Sequence, residues 1–295
     1  MKTMIIFFAA ALLISCSSFY GEEEMRSRDF TVENLFTKNI EGPAFDRFGN
    51  LYVVNFRVNG TIGIVDAEGN CKLFVTLPES SVANAIQFNS NGEMLLADWT
   101  RHNILRVNMQ TKKIDTLCHN DAFHQPNDIC INKNDQLFAS DPNWRASTGK
   151  LWRIEPNGTA VLLEENMGTT NGIELSPDEK TLYVNESVQR NVWKYTVDDS
   201  GNLSDKRLLY HFNDFGMDGM KCDKKGNLYI ARFEKGTIAV ISPGGVLLRE
   251  IQLIGKNCTN LVFGGSEGKT VFVTMNDRKG IEKFQNTIPG KLYGK

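Results

Sequence analysis

Six polar residues recur along this chain at near-even spacing: Glu41, Asn84, Asn127, Asn171, Asp218 and Asn260, separated by 43, 43, 44, 47 and 42 residues. Each opens a similar phrase: EGPAFDRFGNLYVV, NAIQFNSNGEMLLA, NDICINKNDQLFAS, NGIELSPDEKTLYV, DGMKCDKKGNLYIA and NLVFGGSEGKTVFV. Self-similarity at this period predicts a β-propeller with one four-stranded blade per copy. A blade cannot bury its faces without its neighbours, so the 295 residues read as one domain. The 41% hydrophobic fraction is enough for its core. In a radial arrangement the six side-chain oxygens face one another around a central axis.

Within each copy, short β-branched and aromatic runs such as Leu51–Val54, Leu182–Val184, Leu228–Ile230 and Val271–Val273 follow turn clusters rich in Gly, Asn and Asp. The copies run as 40–80, 81–122, 123–166, 167–214, 215–255 and 256–288, and the last lacks an obvious outer strand. The apolar segment Phe30–Thr37 is expected to supply that strand and close the ring. No stretch with a 3.6-residue period is long enough for a core helix.

Residues 1–15 read as a signal peptide: a short positive start, then an apolar run, Met4–Ile14, too short to span a bilayer. Leu13-Ile14-Ser15-Cys16 resembles a bacterial lipobox, with Cys16 lipidated as the mature N-terminus. A plain signal peptide with a chance Cys, or a short membrane anchor, is the alternative. On the lipobox reading, residues 16–29 with Glu22-Glu23-Glu24 form a solvated tether, and 30–295 the propeller. The protein is then expected in the bacterial cell envelope, held to the membrane by lipid alone and monomeric. The other cysteines, Cys71, Cys118, Cys130, Cys222 and Cys258, are odd in number and form no CxxC pair, against both a disulfide framework and a zinc knuckle. A net charge of −2 and the lack of a basic stripe give no footprint for nucleic acid.

Glu41, Asn127, Asn171 and Asp218 are the candidate metal ligands. Residues at one point of each repeat converge at one height of the channel. Two carboxylates and two amide oxygens there make a hard-oxygen site that favours Ca²⁺, with Mn²⁺, Mg²⁺ or Zn²⁺ as other divalent choices. Zinc is disfavoured because no His or Cys joins the ring. Asn or Asp at a strand start also makes Asx turns, and Asn84 and Asn260 fit that description as well as they fit a ligand. Glu41 does not, and it sits in phase with the rest. No GxSxG elbow or HExxH motif is present, and Gly264–Thr270 is one residue short of a phosphate loop.

The ordered set Glu41-Gly42-Pro43, Pro126-Asn127-Asp128 with Ala139-Ser140-Asp141-Pro142, Asn171-Gly172-Ile173 and Asp218-Gly219-Met220, with Asn260 and Phe263-Gly264-Gly265 closing it, resembles the group of six-bladed propellers that holds senescence marker protein (regucalcin), gluconolactonase and luciferin-regenerating enzyme. The resemblance spans nearly all of the chain after its leader. It implies a divalent metal held by Glu41, Asn171 and Asp218, with Asn127 beside it directly or through water. The implied chemistry is hydrolysis of a lactone or related small ester, with Asp218 as general base. Sugar-lactone members often carry an Arg two residues before the third-blade Asn, where this chain has Gln125. His124, Gln125, Trp144 and Arg232 are candidate substrate contacts, with Trp99 near the same face. Two rivals remain: a phosphotriesterase or strictosidine-synthase-like enzyme on the same scaffold, and a non-catalytic propeller that binds a ligand.

Overall fold

A computed structural model describes residues 26–294. Cys16 and the leader lie outside the described residues. The chain forms six four-stranded antiparallel sheets, and no helix occurs among the described residues. The innermost strands are Phe36–Phe45, Ala83–Phe88, Ile129–Ile131, Thr170–Leu175, Met220–Cys222 and Cys258–Gly264. In blades 1 to 5 the remaining three strands follow in chain order from the axis outward.

Burial decides which strand lies where. The second strand of blade 1, Leu51–Phe56, is buried at every position, as is that of blade 2, Met94–Asp98. Such strands read as continuous apolar runs because both faces pack against neighbouring sheets. The outer strand Leu203–His211 is mostly exposed and largely polar. Six hydrophobic clusters result, one at each junction between blades. Tyr52, Val54 and Ile62 meet Ile86, Leu96 and Leu105 between blades 1 and 2, and Val53 and Phe36 meet Phe272 and Ile281 between blades 1 and 6. The sixth junction closes the wheel.

A repeated hairpin loop fixes strand register. Asp46, Asp66, Asp198 and Asp223 are each followed by Gly three residues on and Asn four on. In the first of them, the Asp46 carboxylate accepts hydrogen bonds from the amides of Phe48 and Asn50, both at 2.9 Å, and from the Asn50 side chain. This Asx geometry ties the turn with one residue.

The closing strand differs from expectation. Arg28–Asp29, not Phe30–Thr37, forms the fourth strand of blade 6, pairing with Gly280–Gln285. Phe30 and Thr31 still donate to the Ile281 carbonyl, but the chain then turns, with Asn34 at φ 62°, and Phe36 already belongs to the inner strand of blade 1. The apolar character of this segment serves packing instead: Phe30 meets Phe272 edge-on at 4.7 Å, and Phe36 meets Phe56 at 5.7 Å. All five cysteines among the described residues are free thiols, four of them buried.

Candidate functional site

The inner strands bend where the repeated residues fall. In blades 1, 2, 4 and 6 the pairing with the second strand shifts register around Glu41, Asn84, Asn171 and Asn260. Bulges of this kind re-aim a side chain, here toward the axis. In blades 3 and 5, Asn127 and Asp218 precede the strand, each with its amide bonded at 2.9 Å to the second strand, at Ser140 and Ala231. Two glycines let the bent strands close up. A Cβ on Gly172 would lie 2.5 Å from the Asp218 carbonyl, and one on Gly219 would lie 2.1 Å from the Asn260 side chain.

These six positions converge at one mouth of the channel. Glu41, Asn84, Asn127, Asn171 and Asp218 line a cavity of about 270 Å³. The Oδ1 atoms of Asn127 and Asn171 are buried there with no hydrogen-bond partner among the described residues. Buried polar atoms are nearly always satisfied, so two such oxygens in one cavity are open to a ligand, an ion or a water. Asn260 is different: its Oδ1 accepts from the Leu261 amide at 2.9 Å, and its side chain also hydrogen-bonds Glu41. It supports the ring as a donor.

The carboxylates are forced together at a cost. Burial, followed by the charges of Asp218 and Asp128, holds the Glu41 carboxyl well above the usual carboxylate range. Burial also pushes Asp218 up to about 8, against hydrogen bonds from Asn171 and Glu41 that pull the other way. The protein by itself resists placing two negative charges here, and a divalent cation would remove that cost. Hard oxygens from two carboxylates and two amides suit Ca²⁺.

Below this mouth the channel holds its own counter-ions. Lys221 lies 3.8 Å from Asp128, and Lys291 pairs with the buried Glu174 while donating to the Leu175 carbonyl at 2.8 Å. Lys291 comes from the C-terminal segment, which is fixed across the far end by an Asp223–Gly290 bridge and a Lys291 amide bond to the Cys222 carbonyl.

A second buried series, missed in the sequence, holds the loops that carry the first. It stands at or near the end of the second strand in blades 1 to 5: Asn55, Asp98, Asp141, Glu186 and Arg232. Asn55 donates to the Asn39 carbonyl at 2.6 Å, and Asp98 accepts from the Val82 amide at 3.1 Å. Asp141 accepts from the amides of His124 and Gln125, at 2.8 and 2.6 Å, and from the Trp152 indole at 2.9 Å. Glu186 accepts from the Gly168 amide at 2.8 Å, and Arg232 donates to the Gly216 carbonyl at 3.4 Å. Each pins the chain two or three residues ahead of a ring residue. The signal was the same period, seen in a residue type that changes from copy to copy.

Of the expected substrate contacts, Gln125 and Trp144 line the cavity together with Trp99. His124 and Arg232 do not. His124 is exposed and lies outside the cavity lining, its backbone turned by Asp141. Arg232 is 0% exposed, with its guanidinium held by Asp214 at 2.7 Å and Glu250 at 3.3 Å and stacked 3.5 Å over Phe212. It has no face left for a substrate.

Residues 40–277 match the family model described as the SMP-30/Gluconolactonase/LRE-like region. The chain belongs to this family. Among its relatives is a gluconolactonase of Zymomonas mobilis, 29% identical over 65% of this chain and 60% of that enzyme, so the chain spans under two thirds of that relative's length. Another is the diisopropyl-fluorophosphatase of Loligo vulgaris, 23% identical over 88% of this chain and 95% of that protein. The family's propeller also appears in a calcium-binding regucalcin from Agrobacterium tumefaciens, with a TM-score of 0.78 at 19% identity over 90% of this chain and 95% of that one.

Proposed function

We propose that this protein is a divalent-cation-dependent hydrolase of lactones or related small esters, with Ca²⁺ the best-fitting ion. The observation that carries the reading is the pair of buried, unpartnered amide oxygens set against a buried and a half-buried carboxylate in one cavity. The family relatives named for lactone hydrolysis support the substrate class.

Glu41, Asn127, Asn171 and Asp218 would hold the cation. When bound, it supplies a Lewis acid that polarises an ester carbonyl and offsets charge developing on its oxygen. The chain's own residues do the rest. Asp218, ionised in that state, accepts a proton from a water attacking the carbonyl carbon and returns it to the departing ring oxygen, giving the hydroxy acid. Gln125, fixed through Asp141, presents an amide to the substrate's polar groups.

The test is a hydrolysis screen of five- and six-membered lactones with Ca²⁺, Mn²⁺, Zn²⁺ or EDTA. The reading expects turnover that chelator abolishes and that Asp218→Asn lowers by about a hundredfold or more. Full activity in EDTA, or in Asp218→Asn, would refute it. The match to a fluorophosphatase over most of this chain favours one second reading, phosphotriester hydrolysis at the same ring, so an organophosphate panel belongs beside the lactones. A non-catalytic binding role would show no turnover of either.

We also propose that Cys16 anchors the protein to a bacterial membrane, because small residues and then Cys end its apolar leader. Labelled palmitate should enter the wild type and not Cys16→Ala. Equal labelling of both would exclude the anchor.

A further inference from the structure

The cavity at the hub is not symmetric. Beyond the four candidate ligands and Gln125, its further polar lining comes from blades 1, 2 and 6: Lys38, Asn39, Asn84, Thr259 and Asn276. On the other side it opens into a groove of about 370 Å³ that shares Trp144, Asn171, Asp218 and Phe233 with it. The groove's apolar walls are Trp144 from blade 3, Val188 from blade 4, and Phe215 and Phe233 from blade 5.

Trp144, Val188 and Phe215 are 45%, 52% and 45% exposed. One exposed apolar side chain means little, but three from three blades around a groove continuous with a polar hub mark a binding surface. The hydroxyl beside them is already committed. The Ser187 hydroxyl donates to the Met217 carbonyl and accepts from Asn171 at 3.1 Å. Apart from Asp218 at the hub, the groove's charged members are Arg190 and Glu234, and the buried Nε of Arg190 has no hydrogen-bond partner among the described residues.

The wall is also held in place. Phe215 sits at φ 39°, unusual for a residue with a side chain, and its loop is gripped by the buried Arg232 through the Asp214 carbonyl at 2.5 Å and the Phe215 and Gly216 carbonyls at 3.4 Å. A strained conformation persists where surrounding structure over-determines it, and it is common at ligand clamps.

We propose that the preferred substrates are lactones carrying an apolar alkyl or aryl arm, which lies in this groove while the ring sits at the hub, in place of polyhydroxylated sugar lactones. The inference rests on the hydrolase reading above. Arg232 is a positioning residue for the groove wall.

The experiment measures kcat/KM for butyrolactone and for γ-lactones with progressively longer alkyl arms, up to decanolactone, beside glucono-1,5-lactone. With the groove taking the arm, kcat/KM rises about threefold per methylene until the groove is filled, and decanolactone exceeds gluconolactone. Phe215→Ala and, independently, Val188→Ser lower the decanolactone value about tenfold more than the butyrolactone value. Quenching of Trp144 fluorescence by the ring-opened 4-hydroxydecanoate, absent in Trp144→Phe, reads occupancy without turnover. Turnover of gluconolactone and butyrolactone with a flat alkyl series and no quenching overturns this inference alone. No turnover of any lactone overturns the hydrolase reading, and this inference with it.

Discussion

Ser187 fixes which atom of Asn171 faces the hub. Its hydroxyl donates to the Met217 carbonyl, so it can only accept from the Asn171 Nδ2, 3.1 Å away. The Oδ1 of Asn171 is thereby turned into the cavity. Removing the hydroxyl frees the amide to rotate. Ser187→Ala should weaken Ca²⁺ binding about fivefold to tenfold, the worth of one oriented hydrogen bond, with an unchanged circular dichroism spectrum. Calorimetric titration would check it; an unaltered Kd would show that Ser187 does not orient the ligand.

The raised carboxyls of Glu41 and Asp218 set the pH dependence of the cation-free protein. A carboxyl whose folded pKa lies above its unfolded value, near 4, binds more protons when folded. Its stability contribution is present below about pH 4 and is lost as pH rises toward about 8, the value for Asp218. In EDTA, the thermal midpoint should therefore fall between pH 5 and pH 8. Added Ca²⁺ should raise it more at pH 8 than at pH 5, since binding expels those protons. Differential scanning calorimetry at both pH values tests this, and an EDTA midpoint that climbs with pH contradicts it.

Lys291 and Glu174 form a buried pair that plugs the far end of the channel. Lys291→Met strands a buried carboxylate and should cost about 3–5 kcal/mol. The double variant Lys291→Met, Glu174→Gln should recover most of that loss, because the uncompensated charge is gone. Urea denaturation of the three proteins measures it.

Asp141 supports the Gln125 loop with two backbone bonds and one indole bond. Asp141→Asn exchanges an acceptor for a donor facing two amides. On the hydrolase reading it should raise KM more than it lowers kcat, since it displaces a substrate-binding amide and leaves Asp218 in place. An effect confined to kcat would place Asp141 in the chemistry instead.

The wheel and its hub were legible because propeller geometry converts sequence period directly into position around an axis: residues 42 to 47 apart stand side by side. Glu41, Asn127, Asn171 and Asp218 came from that period plus the chemistry of oxygen. What the pattern hid was pairing that changes identity between copies. Asn55, Asp98, Asp141, Glu186 and Arg232 do one job with an amide, three carboxylates and a guanidinium, donating where the loop offers a carbonyl and accepting where it offers an amide. Arg232, read from its place at a second-strand end near the channel face as a substrate contact, belongs to that set. Lys291 lay in a tail beyond the last repeat, so no periodic argument could reach it. Phe30 reads as part of the closing strand because core packing selects the same residue types as strand pairing, and Phe36 opens the inner strand of blade 1 instead.

The central claim is that side chains from four blades, Glu41, Asn127, Asn171 and Asp218, take one divalent cation between them. Calorimetric titration of Ca²⁺ into chelator-treated protein, in two buffers of different ionisation heat, tests this most directly. The account predicts saturable binding at the hub with proton release at pH 7, weakened by orders of magnitude in Glu41→Gln and in Asp218→Asn. No binding in the wild type, or equal affinity in both variants, would contradict it.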